Sequence, residues 1–194
     1  MTEKTLPKDI LDFWFGSPDD PEFGQPREAW FKKDDSFDAD IRSRFGAAVE
    51  EAIEGGLEEW EDCGNGSLAL ILLLDQFARN IFRGSNKSFA GDVRTRRVAA
   101  AAIEAGIEKM LNIPQRVFLY LPFEHSENIE DQHRSMELFN SLPDYEGRAN
   151  QIDYAQRHFD IVERFGRFPH RNDVMDRAST EEEIEFLKGP NSSF

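Results

Sequence analysis

Along most of the chain, apolar side chains return every three or four positions. Phe37, Ile41, Phe45, Ala48, Val49, Ala52 and Ile53 form one such run, the spacing that lays a stripe along one face of an α-helix. Period-two alternation, the mark of a half-buried strand, is nearly absent. Gly55-Gly56, Gly64-Asn65-Gly66, Gly84, Gly106 and Gly166 fall where the helical pattern stops, and Pro114, Pro122, Pro143 and Pro169 lie near other breaks. The pattern predicts an all-α protein of about nine to eleven helices. Their approximate spans are 7–15, 26–32, 34–54, 57–62, 67–83, 92–106, 114–126, 128–141, 147–165, 172–177 and 180–188. The last is the best marked: Ser179-Thr180 precedes Glu182 and Glu183 at capping-box spacing, and Gly189-Pro190 ends it. No repeat carries a fixed residue signature, although consecutive antiparallel helix pairs with short loops would outline an α-solenoid. No shift in composition marks a linker, so residues 1–190 are expected to form a single helical domain, with 191–194 as a loose tail.

A chain of 194 residues can bury a real core without disulfide or metal staples. Its 39% hydrophobic content, with seventeen Phe, is too much apolar surface for a disordered acidic chain. Acids outnumber Lys and Arg by 38 to 23, for a net charge of -15, and a field of that sign repels nucleic acid and anionic membranes. Neither is expected as a partner. The longest apolar run, LALILLL from Leu68 to Leu74, falls well short of the ~20 residues that span a bilayer. A single cysteine, Cys63, and an opening MTEKTLPKDILDFWFG without a signal-peptide core point to a reducing cytoplasm.

Three segments carry candidate chemistry. In LALILLLDQFARNIFRG the first half is apolar on every side, as in a helix at the centre of a bundle. In its second half Asp75, Gln76, Arg79, Asn80 and Arg83 share an arc of roughly 140° at 100° per residue. Asp75 and Arg79 stand four apart, where carboxylate and guanidinium pair. The competing reading is the solvated end of a helix. In RFGRFPHRN, three arginines and a histidine gather without an acid. Gly166 suits the left-handed end of a helix, Pro169 pushes Phe168 out of the helical region, and Asn172 suits a helix cap. Arg167, His170 and Arg171 are then held in a rigid loop, where planar guanidinium forks suit carboxylate or phosphate and the helix start at Asn172 offers backbone N–H groups. The competing reading has these cations complementing nearby acids or the end of the preceding helix. In LPFEHSE, Glu124, His125 and Glu127 follow an aromatic helix, and a carboxylate beside an imidazole suits acid-base work; a hydrogen-bonded structural histidine is the bland alternative.

Other enzyme signatures are missing. Glu130 and His133 give one Glu-x-x-His motif where a di-iron bundle needs two, and one cysteine with four scattered histidines has no zinc-site spacing. No phosphate-cradling glycine loop, H-E-x-x-H or nucleophile elbow occurs, and the reading includes no cofactor and no metal. DFWFG and AWF are aromatic clusters suited to a core or a pocket wall, with the Trp14 indole N–H as a polar handle.

Taken in order, DFWFG, LLLDQFARNIFRG, LPFEHSE, HFDIVERFGRFPHRN and STEEEIEFL resemble the bacterial family catalogued as domain of unknown function 924, over nearly the whole chain. The resemblance implies an all-helical, tetratricopeptide-like superhelical fold, a right-handed stack of antiparallel helices. It supplies no activity and no catalytic residue. The family usually has proline where this chain has Ala78, and methionine is common where it has Glu124, which favours His125 and Glu127 over Glu124 as acid-base groups.

The leading expectation is a pocket for a small anionic molecule formed by the three segments. In it Arg79, Arg83, Arg167 and Arg171 clamp the anion, Asp75 and Asn80 orient the arginines, Asn172 opens a helix toward the anion, Trp14 is a wall, and His125 or His170 transfers a proton with Glu127 nearby. The rival is a tetratricopeptide-like scaffold that binds a protein segment and uses the charges as internal mortar. A purely structural cluster would show its arginines saturated by protein carboxylates.

Overall fold

Helical periodicity resolves into α-helices joined by short 3₁₀ turns, and among the described residues there is no strand. The structure, a computed structural model, describes residues 4–193. The helices are α1 (Pro7–Phe15), α2 (Asp35–Ile53), α3, α4 (Asp92–Glu104), α5 (Ile113–Glu124), α6 (Ile129–Ser141), α7 (Arg148–Phe165) and α8 (Glu181–Phe186). The third is continuous but not uniform: Gly64–Ile71 is α-helical, Leu72–Phe77 is a π-helical stretch, and Ala78–Ile81 is α-helical again. Eight of the eleven expected spans are therefore α-helices among the described residues. Those expected at 26–32, 57–62 and 172–177 are instead 3₁₀ turns, Glu28–Trp30, Glu58–Trp60 and Asp173–Met175, because segments so short cannot offset the cost of nucleating an α-helix. No helix among the described residues is long and apolar enough to cross a membrane.

Local chemistry sets the helix ends. Asp34 caps α2 by accepting the Ser36 and Phe37 N–H groups, and Asn128 caps α6 by accepting those of Glu130 and Asp131. Thr180 and Glu183 close the expected capping box on α8. After α8 the Ser192 hydroxyl donates to Leu187 and Gly189 carbonyls; residue 194 of the expected tail lies outside the described residues.

The described residues group into two compact units. One runs up to Arg83 and includes Lys87–Pro122; the other comprises Gly84–Asn86 and the chain from Phe123 on. In the first, α3 is buried from Gly66 to Ala78 and packs against α1, α2 and α4. Gly91 sits so close to the π-helical stretch that a Cβ there would lie 2.6 Å from the Leu74 carbonyl oxygen and 2.8 Å from its Cβ. Trp14 is fully buried and packs against Trp30, Phe37, Phe77 and Phe118. The hydrogen-bonded indole is not that of Trp14 but that of Trp30, which donates to the Trp14 carbonyl at 2.9 Å; the Trp14 Nε1 has no partner among the described residues. In the second unit, α6 packs along α7, and a small core of Ile161, Val162 and Phe168 takes in Ile129, Phe165 and Phe186.

Candidate functional site

The polar stripe of α3 finds its partners inside the first unit. Asp75 is 1% exposed, pairs with Arg79 at 2.8 Å and accepts from the Gln76 amide at 2.5 Å. Arg79 also forks onto both oxygens of Asp92, at 3.0 and 3.2 Å. Burial opposes charge on Arg79, but Asp75 and Asp92 together hold the guanidinium above its already high ordinary value. Farther along, Asn80 and Arg83 converge on Asp38: Asn80 donates at 2.6 Å and Arg83 makes two bonds, at 2.8 and 3.1 Å. Both line a cleft of about 450 Å³ together with Lys33, Asp35 and Arg42, where Asp35 and Asp38 face the cations. The stripe is thus neither a solvated helix end nor a row of open donors, but a chain of matched charges that starts buried and ends half-exposed.

The HSE and RFGRFPHRN segments meet in the second unit. Gly166 adopts the left-handed conformation (φ 68°) and its N–H closes α7 onto Val162. Phe168 is extended ahead of Pro169, as the proline demands, and its ring is fully buried. Its N–H donates to Glu127 Oε1 at 2.8 Å, and Arg177 grips the same carboxylate with two bonds of 2.6 and 2.9 Å. Burial works against ionising Glu127, yet the Arg177 fork and the Phe168 N–H hold it below the usual carboxylate range. Glu127 is therefore an ionised clamp on the loop, a different role from the acid-base one expected of it. Arg167 is likewise engaged, by two bonds to buried Glu183 at 2.6 and 2.8 Å and one to the Ala178 carbonyl. Asn172 is 1% exposed and does not cap the turn after it, because Asp173–Met175 is 3₁₀ and starts without a side-chain cap. Its amide instead donates to the Ser179 hydroxyl at 3.0 Å.

Beside that clamped loop lies a corner of imidazoles. His125 and His158 have ring centroids 6.1 Å apart, His158 meets Phe168 edge-on at 5.4 Å, and Phe168 meets His170 at 5.7 Å. Arg171, 5% exposed, lies over the Phe168 ring at 4.4 Å and donates to the His125 carbonyl at 3.0 Å. Glu124, 3% exposed, places Oε1 3.4 Å from His158 Nδ1. That nitrogen is 2.8 Å from the Tyr154 carbonyl; a carbonyl only accepts, so Nδ1 carries the hydrogen. The Gln132 amide donates to the Glu124 and Ser126 carbonyls at 2.7 and 2.6 Å and fixes the end of α5. Ligand atoms of Glu124, His125 and His158 all lie within 4.8 Å of one another. Burial, then the neighbouring His125, push His158 well below the ordinary imidazole value, and burial followed by Arg171 lowers His170 to about 4. Both rings are neutral near pH 7, able to accept a hydrogen bond at one nitrogen and donate at the other.

Of the residues gathered at this corner, the segments point to His125, His170 and Arg171; they do not point to His158 or to the nearby Arg177, and they set Glu124 behind its neighbours. His158 falls three and four residues from Ala155, Ile161 and Val162 on the buried face of α7, and a histidine on an apolar helical face was the available signal. Of the single Glu-x-x-His pair, on α6, His133 packs edge-on against Phe159.

Residues 10–191 match the family described as "Bacterial protein of unknown function (DUF924)". A solved structure of a protein of unknown function from Agrobacterium tumefaciens is similar to this chain at 41% identity and a TM-score of 0.82, over 95% of this chain and 98% of that one. No curated protein matches. With the family matched over nearly the whole length and its all-helical fold shared by a relative of that identity, the chain belongs to the bacterial family of unknown function DUF924.

Proposed function

We propose that the second unit binds a small anionic molecule at the corner formed by Glu124, His125, His158, His170 and Arg171, and that a neutral imidazole there exchanges a proton with it. The observation that carries this reading is the gathering of His125, His158 and His170 with the Arg171 guanidinium around Phe168. Burial first, and then neighbouring cationic groups, lower the affinity of His158 and His170 for protons, and perturbed groups of this kind gather at sites. A bound phosphate or carboxylate relieves that crowding by bringing negative charge to the half-buried faces of His125 and His170. Arg171 and the imidazole N–H groups supply the donors. In this reading Arg167, Arg177 and Glu127 shape the loop and do not touch the ligand.

A second reading has support of its own. Arg79, Arg83, Arg167 and Arg177 are each matched by a carboxylate, as expected of internal mortar in a tetratricopeptide-like scaffold that binds a protein segment.

Thermal unfolding against inorganic phosphate, citrate and nucleotides separates the two. A ligand at a hundredfold excess over its Kd stabilises by about 2.7 kcal/mol, or about 5 to 10 °C here. The anion reading expects such a shift in the parent and its loss in Arg171→Lys, which keeps the charge and removes the fork. No shift with any of these anions, or an equal shift in both proteins, supports the scaffold.

A further inference from the structure

The donor set at the base of this corner has a chemistry that anion binding does not use. Glu124 ends α5, His125 follows it directly, and His158 projects from the buried face of α7. One carboxylate and two imidazoles offer the mixed oxygen and nitrogen donors preferred by zinc and by other first-row divalent ions. Such ions take these ligands at about 2.0–2.2 Å, which sets the donor atoms about 3 to 3.5 Å apart. The donors here stand within 4.8 Å of one another, so the set has to contract by at most about 1 to 2 Å to close on an ion.

Two features of the surroundings fit a bound cation. His158 donates Nδ1–H to the Tyr154 carbonyl at 2.8 Å, the outer contact that orients a metal-binding imidazole and raises its basicity. Glu124 is anchored through its own carbonyl by Gln132 at 2.7 Å, and both it and His158 are shut off from solvent, where an ion meets little competition from water.

We propose that Glu124, His125 and His158 bind one divalent transition-metal ion, of which Zn²⁺ is the probe to use first. Three protein ligands leave coordination positions open, the pattern of a reactive rather than a structural zinc site. This inference rests on the reading of the corner as a ligand site and adds what a phosphate or carboxylate oxygen would meet there.

Full-length protein, stripped with a chelator and exchanged into chelator-free buffer without phosphate or carboxylate, is titrated with Zn²⁺ by calorimetry and with Co²⁺ by visible absorption. The expected result is one ion per chain, with low-symmetry Co²⁺ bands, and an affinity reduced by about tenfold or more in His125→Gln and in Glu124→Gln. His125 is half-buried and tolerates replacement, so His125→Gln decides the matter if the Glu124 variant misfolds. Absence of stoichiometric binding in the parent, or unchanged affinity in a folded His125→Gln protein, overturns the proposal. Because no anion is in the titration, loss of metal binding leaves the anion reading intact if phosphate or citrate still raises the unfolding midpoint of chelator-treated protein. Metal binding without any anion shift removes that reading and keeps this one.

Discussion

Arg79, half-buried, and Arg171, buried, each lie over a phenylalanine ring, Phe89 at 5.6 Å and Phe168 at 4.4 Å. Their charged surroundings differ. Arg79 is flanked by Asp75 and Asp92, whereas Arg171 acts on Glu127 and also lies beside His158 and His170, whose proton affinity it lowers in addition to burial. The two carboxylates hold Arg79 between α3 and α4. In the corner an arginine and several imidazoles share fewer acids, the arrangement on which the proposed site rests. The difference separates the two regions more sharply than residue type does, since both contain arginine, acid and amide.

Breaking the matched network should have the largest effect. Asp75→Asn strands the Arg79 guanidinium with one carboxylate in a buried setting and should destabilise by about 3 kcal/mol in urea unfolding. A loss under about 1 kcal/mol would mean that Asp92 alone suffices. Next, Gly91→Ala drives a methyl against the Leu74 carbonyl, closer than contact distance, and should lower stability by about 2 kcal/mol; a neutral result would show that α4 can slide off the π-helical stretch.

Acid should separate two groups of the second unit. His170 binds a proton only near pH 4 when folded, against an ordinary value of 6.5. The unfolded chain takes up that proton first, so the His170 contribution to stability falls as pH drops from about 6.5 to about 4 and is constant below that. His170→Gln should flatten this slope. Glu183, held at about 2 by the Arg167 fork against an ordinary 4.5, contributes stability that is complete above about 4.5 and is lost as pH falls toward about 2. An acid titration of the unfolding midpoint for the parent, His170→Gln and Glu183→Gln reads both windows, and overlapping curves for parent and His170→Gln would contradict the assignment. The smallest effect belongs to His125→Gln: a stability change within about 0.5 kcal/mol combined with a weakened ligand response.

Much of this was written locally in the chain. The helices follow from apolar spacing, and the loop at Gly166 to Pro169 follows from the φ preferences of two residues, because backbone sterics act over a few positions. The α8 capping box is equally local. What could not be read is long-range. Glu127 is joined to Arg177 fifty positions later, and His158 on α7 lies beside Glu124 at the end of α5, which no spacing announces. The stripe on α3 was visible, yet its burial and its saturation by Asp38 and Asp92 were set by partners on other helices. The π-helical turn at Leu72–Phe77 left no periodic signature either, since one widened turn shifts the apolar pattern by a single residue.

The claim that the imidazole corner is the site and the α3 network is not can be tested in one experiment. Amide and imidazole resonances of the 22.3 kDa chain are followed by nuclear magnetic resonance while inorganic phosphate, then Zn²⁺, is added. The account predicts saturable shifts concentrated on His125, His158, Phe168, His170 and Arg171, with Asp75, Arg79 and Asp92 unmoved. Shifts centred on the Asp75 and Arg79 network, or none that saturate, would contradict it.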